Sequence, residues 1–172
     1  MRALDRHGAP RLAAAIASFV ARDRCFSVDR DGDRLNRQGG MTIACPNLMP
    51  SRLAYLESQV RDSWLWDYDP RPGDTVLDIG AGIGEEMLVL APRVGRLVCV
   101  EANGDVFRCL TKNRDANSLT NVTLVRCAIS DRDGESRISD TDDVLGNRLV
   151  EAGGTVVPAK TIESLCRSLC IA

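Results

Sequence analysis

With 172 residues, 44% of them hydrophobic and 27% charged, the chain is long enough for one domain with a real core but short for a doubly wound enzyme. Its 22 basic and 24 acidic residues leave a formal net charge of −2, which gives no general electrostatic reason to bind nucleic acid, and no basic run is long enough to suggest a local basic face for its phosphates. No stretch approaches the roughly 20 apolar residues that a membrane span requires.

The first element expected is an amphipathic helix from Pro10 to Asp23, with Leu12, Ile16, Phe19 and Val20 on one face. Charges flank its apolar patch on both sides, Asp5 and Arg11 before it and Arg22, Asp23 and Arg24 after it, which is unlike a signal peptide. The chain is therefore read as cytoplasmic. Cys25 to Arg30 alternates as a strand, and Asp31-Gly32 supplies the positive backbone angles of a tight hairpin turn. Gly39-Gly40 breaks the chain before a short apolar run, Met41 to Cys45. A second helix begins at Pro50-Ser51, with Ser51 as N-cap and Leu53, Leu56 and Val60 at helical spacing. Trp64, Trp66 and Tyr68 are read as core and junction packing rather than as an acceptor pocket.

The rhythm changes at Pro70-Arg71-Pro72-Gly73, which divides a helical and hairpin extension, residues 1–69, from an alternating α/β region, residues 70–172. Strands are expected at Thr75 to Ile79, Leu97 to Val100 and Val122 to Cys127. Helices are expected from Gly84 to about Ala91, stopping at Pro92, and from Asp105 to about Ala116, ending at a left-handed Asn117. Apolar strands joined by helical crossovers imply a parallel sheet covered on both faces. Asp133-Gly134 then turns the chain into a short strand, Glu135 to Asp140, and Gly146 and Gly153-Gly154 mark an irregular stretch. In Thr155 to Lys160, Pro158 argues for an edge strand. Thr161 opens a last helical turn.

Seven scattered cysteines suit neither a disulfide scaffold nor a zinc site; Cys166 and Cys170 lie a helical turn apart but have no histidine nearby, so no metal is expected. Cys99 and Cys127 act as small hydrophobes within strands. His7, the single histidine, is read as a surface residue near the N-terminus, and no catalytic base is assigned.

Chemistry concentrates in Thr75-Val-Leu-Asp-Ile-Gly-Ala-Gly-Ile-Gly-Glu-Glu-Met87, a buried strand, a glycine turn and a helix start. Gly80, Gly82 and Gly84 allow a sharp turn and leave no side chain between backbone and ligand. In a dinucleotide fingerprint the third glycine would stand where Glu85 does, and Glu85 and Glu86 at the helix start oppose a pyrophosphate. S-adenosylmethionine has no phosphate and carries a positive sulfonium, so an acidic rim of Asp78, Glu85 and Glu86 suits it. Glu101 lies 21 residues after Gly80, where a carboxylate accepts hydrogen bonds from both ribose hydroxyls of an adenosine ligand. The adenine is placed near the end of the third strand, at Cys127 and Ala128. The candidate cofactor contacts are thus Asp78, Gly80, Ala81, Gly82, Gly84, Glu101, Ala102, Cys127 and Ala128.

Residues 64–84, together with Val100-Glu-Ala-Asn103, Asn121-Val-Thr-Leu124, Ala128-Ile-Ser-Asp131 and Thr155 to Leu165, resemble an FkbM-type methyltransferase from about Trp64 onward. The resemblance implies a Rossmann-like methyltransferase fold, S-adenosylmethionine as cofactor and methylation of a hydroxyl on a sugar or other natural product. It assigns Asp78, Gly80, Gly82, Gly84 and Glu101 to the cofactor. Family members continue past Leu165 into a further strand ending in an acidic Asp-x-Glu-Gly segment, so the chain is expected to hold only the first half of the fold. An unpaired apolar edge on Thr75 to Ile79 would then favour self-association. A rival expectation is an inactive remnant that binds cofactor weakly or only pairs with another chain. A nicotinamide oxidoreductase is disfavoured by Glu85 and Glu86. The expected partner is a small-molecule or glycan acceptor, not nucleic acid or membrane.

Overall fold

The computed structural model describes residues 25–38, 40–45, 65, 67–139 and 148–171. The helices expected at 10–23 and from 51, with His7, Trp64 and Trp66, lie outside them.

The α/β region is Rossmann-like. Strands β4 (Thr75–Ile79), β5 (Arg96–Val100) and β6 (Val122–Val125) form a parallel sheet in that order. Helices α1 (Glu85–Leu90) and α2 (Gly104–Ala116) are the crossovers. After α1, Pro92 does not end helical structure abruptly but sits in a 3₁₀ turn, Ala91–Arg93. Alternate residues of β5 face opposite ways. Leu97 and Cys99 pack with Met87, Val106 and Leu110 of the crossovers. Val98 and Val100 pack with Leu165 of a third helix, α3 (Ile162–Ser168). Both faces of the central strand β5 are covered, as a continuous apolar strand requires, whereas β4, expected to be a buried strand, is an edge strand among the described residues, with no fully buried residue and with Ile79 exposed. Thr161 caps α3 by accepting from Ser164 N, and Asp133 accepts from Thr161 N at 2.7 Å.

Several details depart from the sequence reading. Val122 to Cys127 is not one strand: β6 ends at Val125, and Ala128–Ile129 begins a second sheet as β7. The break is a change of partner, since β6 pairs with β5 and β7 pairs with β9 (Thr155–Lys160). β9 is not an edge strand either. It lies between β7 and the antiparallel β8 (Gly134–Ile138). Pro158 is tolerated because the β7 ladder begins only at Ala159, leaving the proline a neighbour on the β8 side alone. Asn117 is not left-handed, with φ −103°; the positive angle falls on Ser118.

Before the α/β region, β1 (Cys25–Val28), β2 (Arg34–Gln38) and β3 (Met41–Cys45) form an antiparallel meander. The first turn is a five-residue loop, 29–33, rather than a tight two-residue one, and only Gly32 within it has positive φ. The Asp29 carboxylate organises this loop by accepting from Asp31 N and Asp33 N.

Two devices fasten the meander to α2. The free edge of β3 is closed by asparagine side chains, which carry the same amide groups as a backbone. Asn113 Oδ1 accepts from Ala44 N and its Nδ2 donates to Ala44 O at 3.0 Å; Asn117 does the same for Thr42 N and O, at 2.9 and 2.6 Å. Four helical residues rise about 6 Å and two strand residues about 6.7 Å, so an i, i+4 pair matches an i, i+2 pair. The second device is ionic. Lys112 Nζ lies 2.5–2.7 Å from carboxylate oxygens of Asp29, Asp31 and Asp33, and Arg108 also bonds Asp33. Burial works against the Lys112 charge, but the three carboxylates outweigh it and hold its pKa above the usual lysine range. The three aspartates have the spacing of cation ligands, and the cation they hold is this ammonium.

Candidate functional site

The carboxyl ends of β4 and β5 open on a cleft of about 340 Å³, within the size range of small-molecule sites. Its walls are Ile79, Gly80 and Gly82 after β4, Val100 to Asn103 after β5, Cys127 to Ile129 at the β6–β7 break, and Ile138, Arg148 and Leu149. Six expected contacts come together here: Gly80, Gly82, Glu101, Ala102, Cys127 and Ala128. A cavity of about 680 Å³ lies elsewhere, over β8 and β9, and shares only Leu149 with this cleft. The smaller one sits where an open parallel sheet presents ligands, beyond the strand ends.

The remaining three expected residues do not line the cleft. Ala81 is buried beneath the turn. Gly84 has φ +91°, and a Cβ there would lie 2.6 Å from Met87 Cε and 2.7 Å from Leu110 Cδ1. Its missing side chain therefore serves helix packing, whereas a Cβ on Gly80 would meet nothing within 4 Å. Gly84→Ala combines left-handed strain with overpacking, each worth about 1–2 kcal/mol. A denaturant titration should show a loss of roughly 3 kcal/mol; a loss below roughly 1 kcal/mol would mean that Met87 and Leu110 yield freely.

Asp78 lies behind the turn, on the β4 face that looks toward the crossovers, beside Cys99 of β5 in register. Its Oδ2 is buried without a hydrogen-bond partner among the described residues. Burial first, then the charges of Glu86, Glu101 and Glu85, push its carboxyl up to about 7, against the help of a hydrogen bond from the Cys99 thiol. The neighbourhood of the turn is thus strongly anionic.

Glu101 is held rigidly. Its Oε2 accepts from Gly82 N at 3.1 Å and its Oε1 from Asn103 N at 2.7 Å. Each oxygen has two lone pairs, so among the described residues one on each is left without a partner. Asn103 is itself fixed as N-cap of α2, accepting from Asp105 N and Val106 N. The amides of the turn are spent inward: Gly80 N and Ala81 N donate to Val100 O, Gly82 N to Glu101 and Gly84 N to Ala81 O. A pyrophosphate would need such amides pointing outward.

Sequence reasoning missed Ile79, Val100, Asn103, Ile129, Ile138, Arg148 and Leu149 as cleft residues. Asn103 had a signal, an N-cap residue two positions after the strand-end acid. The last three had none, because an isolated bridge between Ile138 and Leu149 carries them to the site.

No family model matches the chain, and no curated protein matches it. Its fold is similar to parts of solved structures. Trm5b from Pyrococcus abyssi is 21% identical with TM-score 0.43, covering 55% of this chain and 28% of its own. TYW2 from P. horikoshii, in complex with MeSAdo, is 14% identical with TM-score 0.46, covering 72% and 50%. Methyltransferase FkbM from Methylobacillus flagellatus KT is 15% identical with TM-score 0.41, covering 58% and 24%. The chain therefore spans between about a quarter and half of these proteins' length. At such scores none of the three decides its chemistry.

Proposed function

We propose that the chain is an S-adenosylmethionine-dependent methyltransferase domain that holds its cofactor in the cleft lined by the glycine turn and Glu101. The observation that carries this reading is the Glu101 carboxylate, fixed by two backbone amides at the mouth of the cleft with one lone pair per oxygen to spare. Two free acceptor positions on one rigid carboxylate fit the two adjacent hydroxyls of a ribose. The orphaned Asp78 oxygen and the carboxylates of Glu85 and Glu86 fit a ligand that brings positive charge and no phosphate. Gly80 and Gly82 let the backbone approach the ligand's amino-acid end, and the backbone at Cys127 and Ala128 offers groups to the adenine edge.

When bound, the cofactor supplies an electrophilic methyl group on sulfur. The chain's part is to align it, and alignment accounts for much of such a reaction. A hydroxyl acceptor, the class that the FkbM resemblance implies, must also lose a proton. The competing reading, a chain that binds cofactor weakly or only pairs with another chain along the β4 edge, shares the fold and differs in affinity.

Titration calorimetry with S-adenosylhomocysteine separates them. Binding is expected, with NADH silent, and Glu101→Ala should weaken it about 30- to 100-fold through lost charge-assisted hydrogen bonds. A folded chain that binds NADH and ignores S-adenosylhomocysteine would overturn the proposal.

A further inference from the structure

We propose that binding of S-adenosylmethionine drives a proton off Asp78, so that cofactor affinity is coupled to pH through a residue the ligand need not touch. The inference rests on the methyltransferase reading above and deepens it.

Asp78 does not line the cleft; it stands behind the glycine turn that forms the cleft's floor. One carboxyl oxygen is buried without a partner among the described residues, and the Cys99 thiol is the side chain that hydrogen-bonds the group. Among the described residues, the charged groups that face it are Glu86 and Glu85 on α1 and Glu101 beyond β5, all acidic; β5 itself contributes Cys99, whose thiol burial and Asp78 keep protonated. A half-buried carboxyl with one oxygen fully enclosed and unpartnered in an anionic setting is held partly as the neutral acid near neutral pH. S-adenosylmethionine brings a sulfonium and an ammonium against a single carboxylate, one net positive charge. S-adenosylhomocysteine lacks the sulfonium and brings none. Placing a positive charge on the outer side of the turn favours the ionised form. The O–H bond of the Asp78 carboxyl then breaks, its electron pair stays on oxygen, and the proton passes to solvent and buffer.

The test is calorimetry of S-adenosylmethionine binding at pH 7 in phosphate and in Tris, whose ionisation heats differ widely. Wild type should release about half a proton per cofactor, and S-adenosylhomocysteine fewer. Asp78→Asn should release none beyond what the ligand's own amine contributes, which is common to both proteins. Glu86→Gln, which removes the largest neighbouring charge, should reduce the release without deleting the carboxyl, and serves if the asparagine variant does not fold. Between pH 6 and 8, wild-type affinity should rise by up to about tenfold and Asp78→Asn affinity should stay flatter. Binding with equal proton release in wild type and both variants overturns the coupling alone. No binding of either ligand by the folded chain overturns the cofactor reading and the coupling with it.

Discussion

Replacing Asn113 with alanine is expected to cost about 4 kcal/mol of folding stability, a large share of what a domain of this size has. Asn113 is fully buried in α2 and makes three hydrogen bonds: from Ala44 N, to Ala44 O, and to Ile83 O at 2.7 Å. Alanine leaves three backbone groups without these bonds, and Ala44 is itself buried. Each orphaned group costs roughly 1–3 kcal/mol, since no water replaces the amide in a closed interior. The same side chain spans three elements, so the loss should be cooperative rather than local. In a urea titration the midpoint should fall with the slope unchanged. Asn117→Ala, at a half-buried position, should cost less than half as much. A loss below roughly 1 kcal/mol for Asn113→Ala would show that the β3 edge is held by packing and by the Lys112 cluster instead.

Asp78→Asn should do the opposite and stabilise the chain at high pH. Burial and three acidic neighbours raise the Asp78 carboxyl from 3.8 to about 7 in the folded state. At pH 5 the folded chain therefore binds a proton that the unfolded chain has released. Stability falls as pH rises from about 4 to about 7 and is level above, where the folded protein carries the buried charge at full cost. The whole shift corresponds to roughly 4 kcal/mol at most. Asparagine keeps the shape and removes the charge but brings an amide N–H₂ needing acceptors, so a gain of roughly 2–3 kcal/mol at pH 8 is expected. Below pH 4 both folded proteins carry a neutral group, so the gain should vanish and the unsatisfied amide should leave a loss of roughly 1–2 kcal/mol. Thermal melts at pH 4 and pH 8 check this; an equal effect at both would mean that charge is not what Asp78 contributes.

The α/β half was legible because its signals are local. The strands 75–79 and 97–100 are mostly apolar, the glycines follow directly, and Glu101 stands at a strand end, so spacing alone brought turn and acid side by side in one cleft. What failed to show was anything set by distant partners. β2, Arg-Leu-Asn-Arg-Gln, has no apolar alternation because its strand is fixed by neighbours on both sides and buries Asn36. The split at Arg126 and Cys127 follows from a switch of sheet. Pro158 misled because proline reports on one hydrogen-bonding side of one residue, and the edge status of a whole strand does not follow from it. Gly84 was legible as glycine but not in purpose: the reason it lacks a side chain is a pair of helices, not a ligand.

The position of β9 has a bearing on how the chain acquires its structure. β4, β5 and β6 can assemble from sequence neighbours, each joined to the next by one helix, but β7 and β8 meet only through a strand that comes after both. During synthesis, residues 128–138 leave the ribosome before the strand that will lie between them exists. Until Thr155–Lys160 follows, Ala128, Ile138 and one wall of the cleft have no sheet to join. Such late, non-local pairing is slow and leaves strand edges exposed meanwhile. The cleft is therefore completed last, and a nascent chain acquires its glycine turn and its carboxylate well before it has a pocket to put them in.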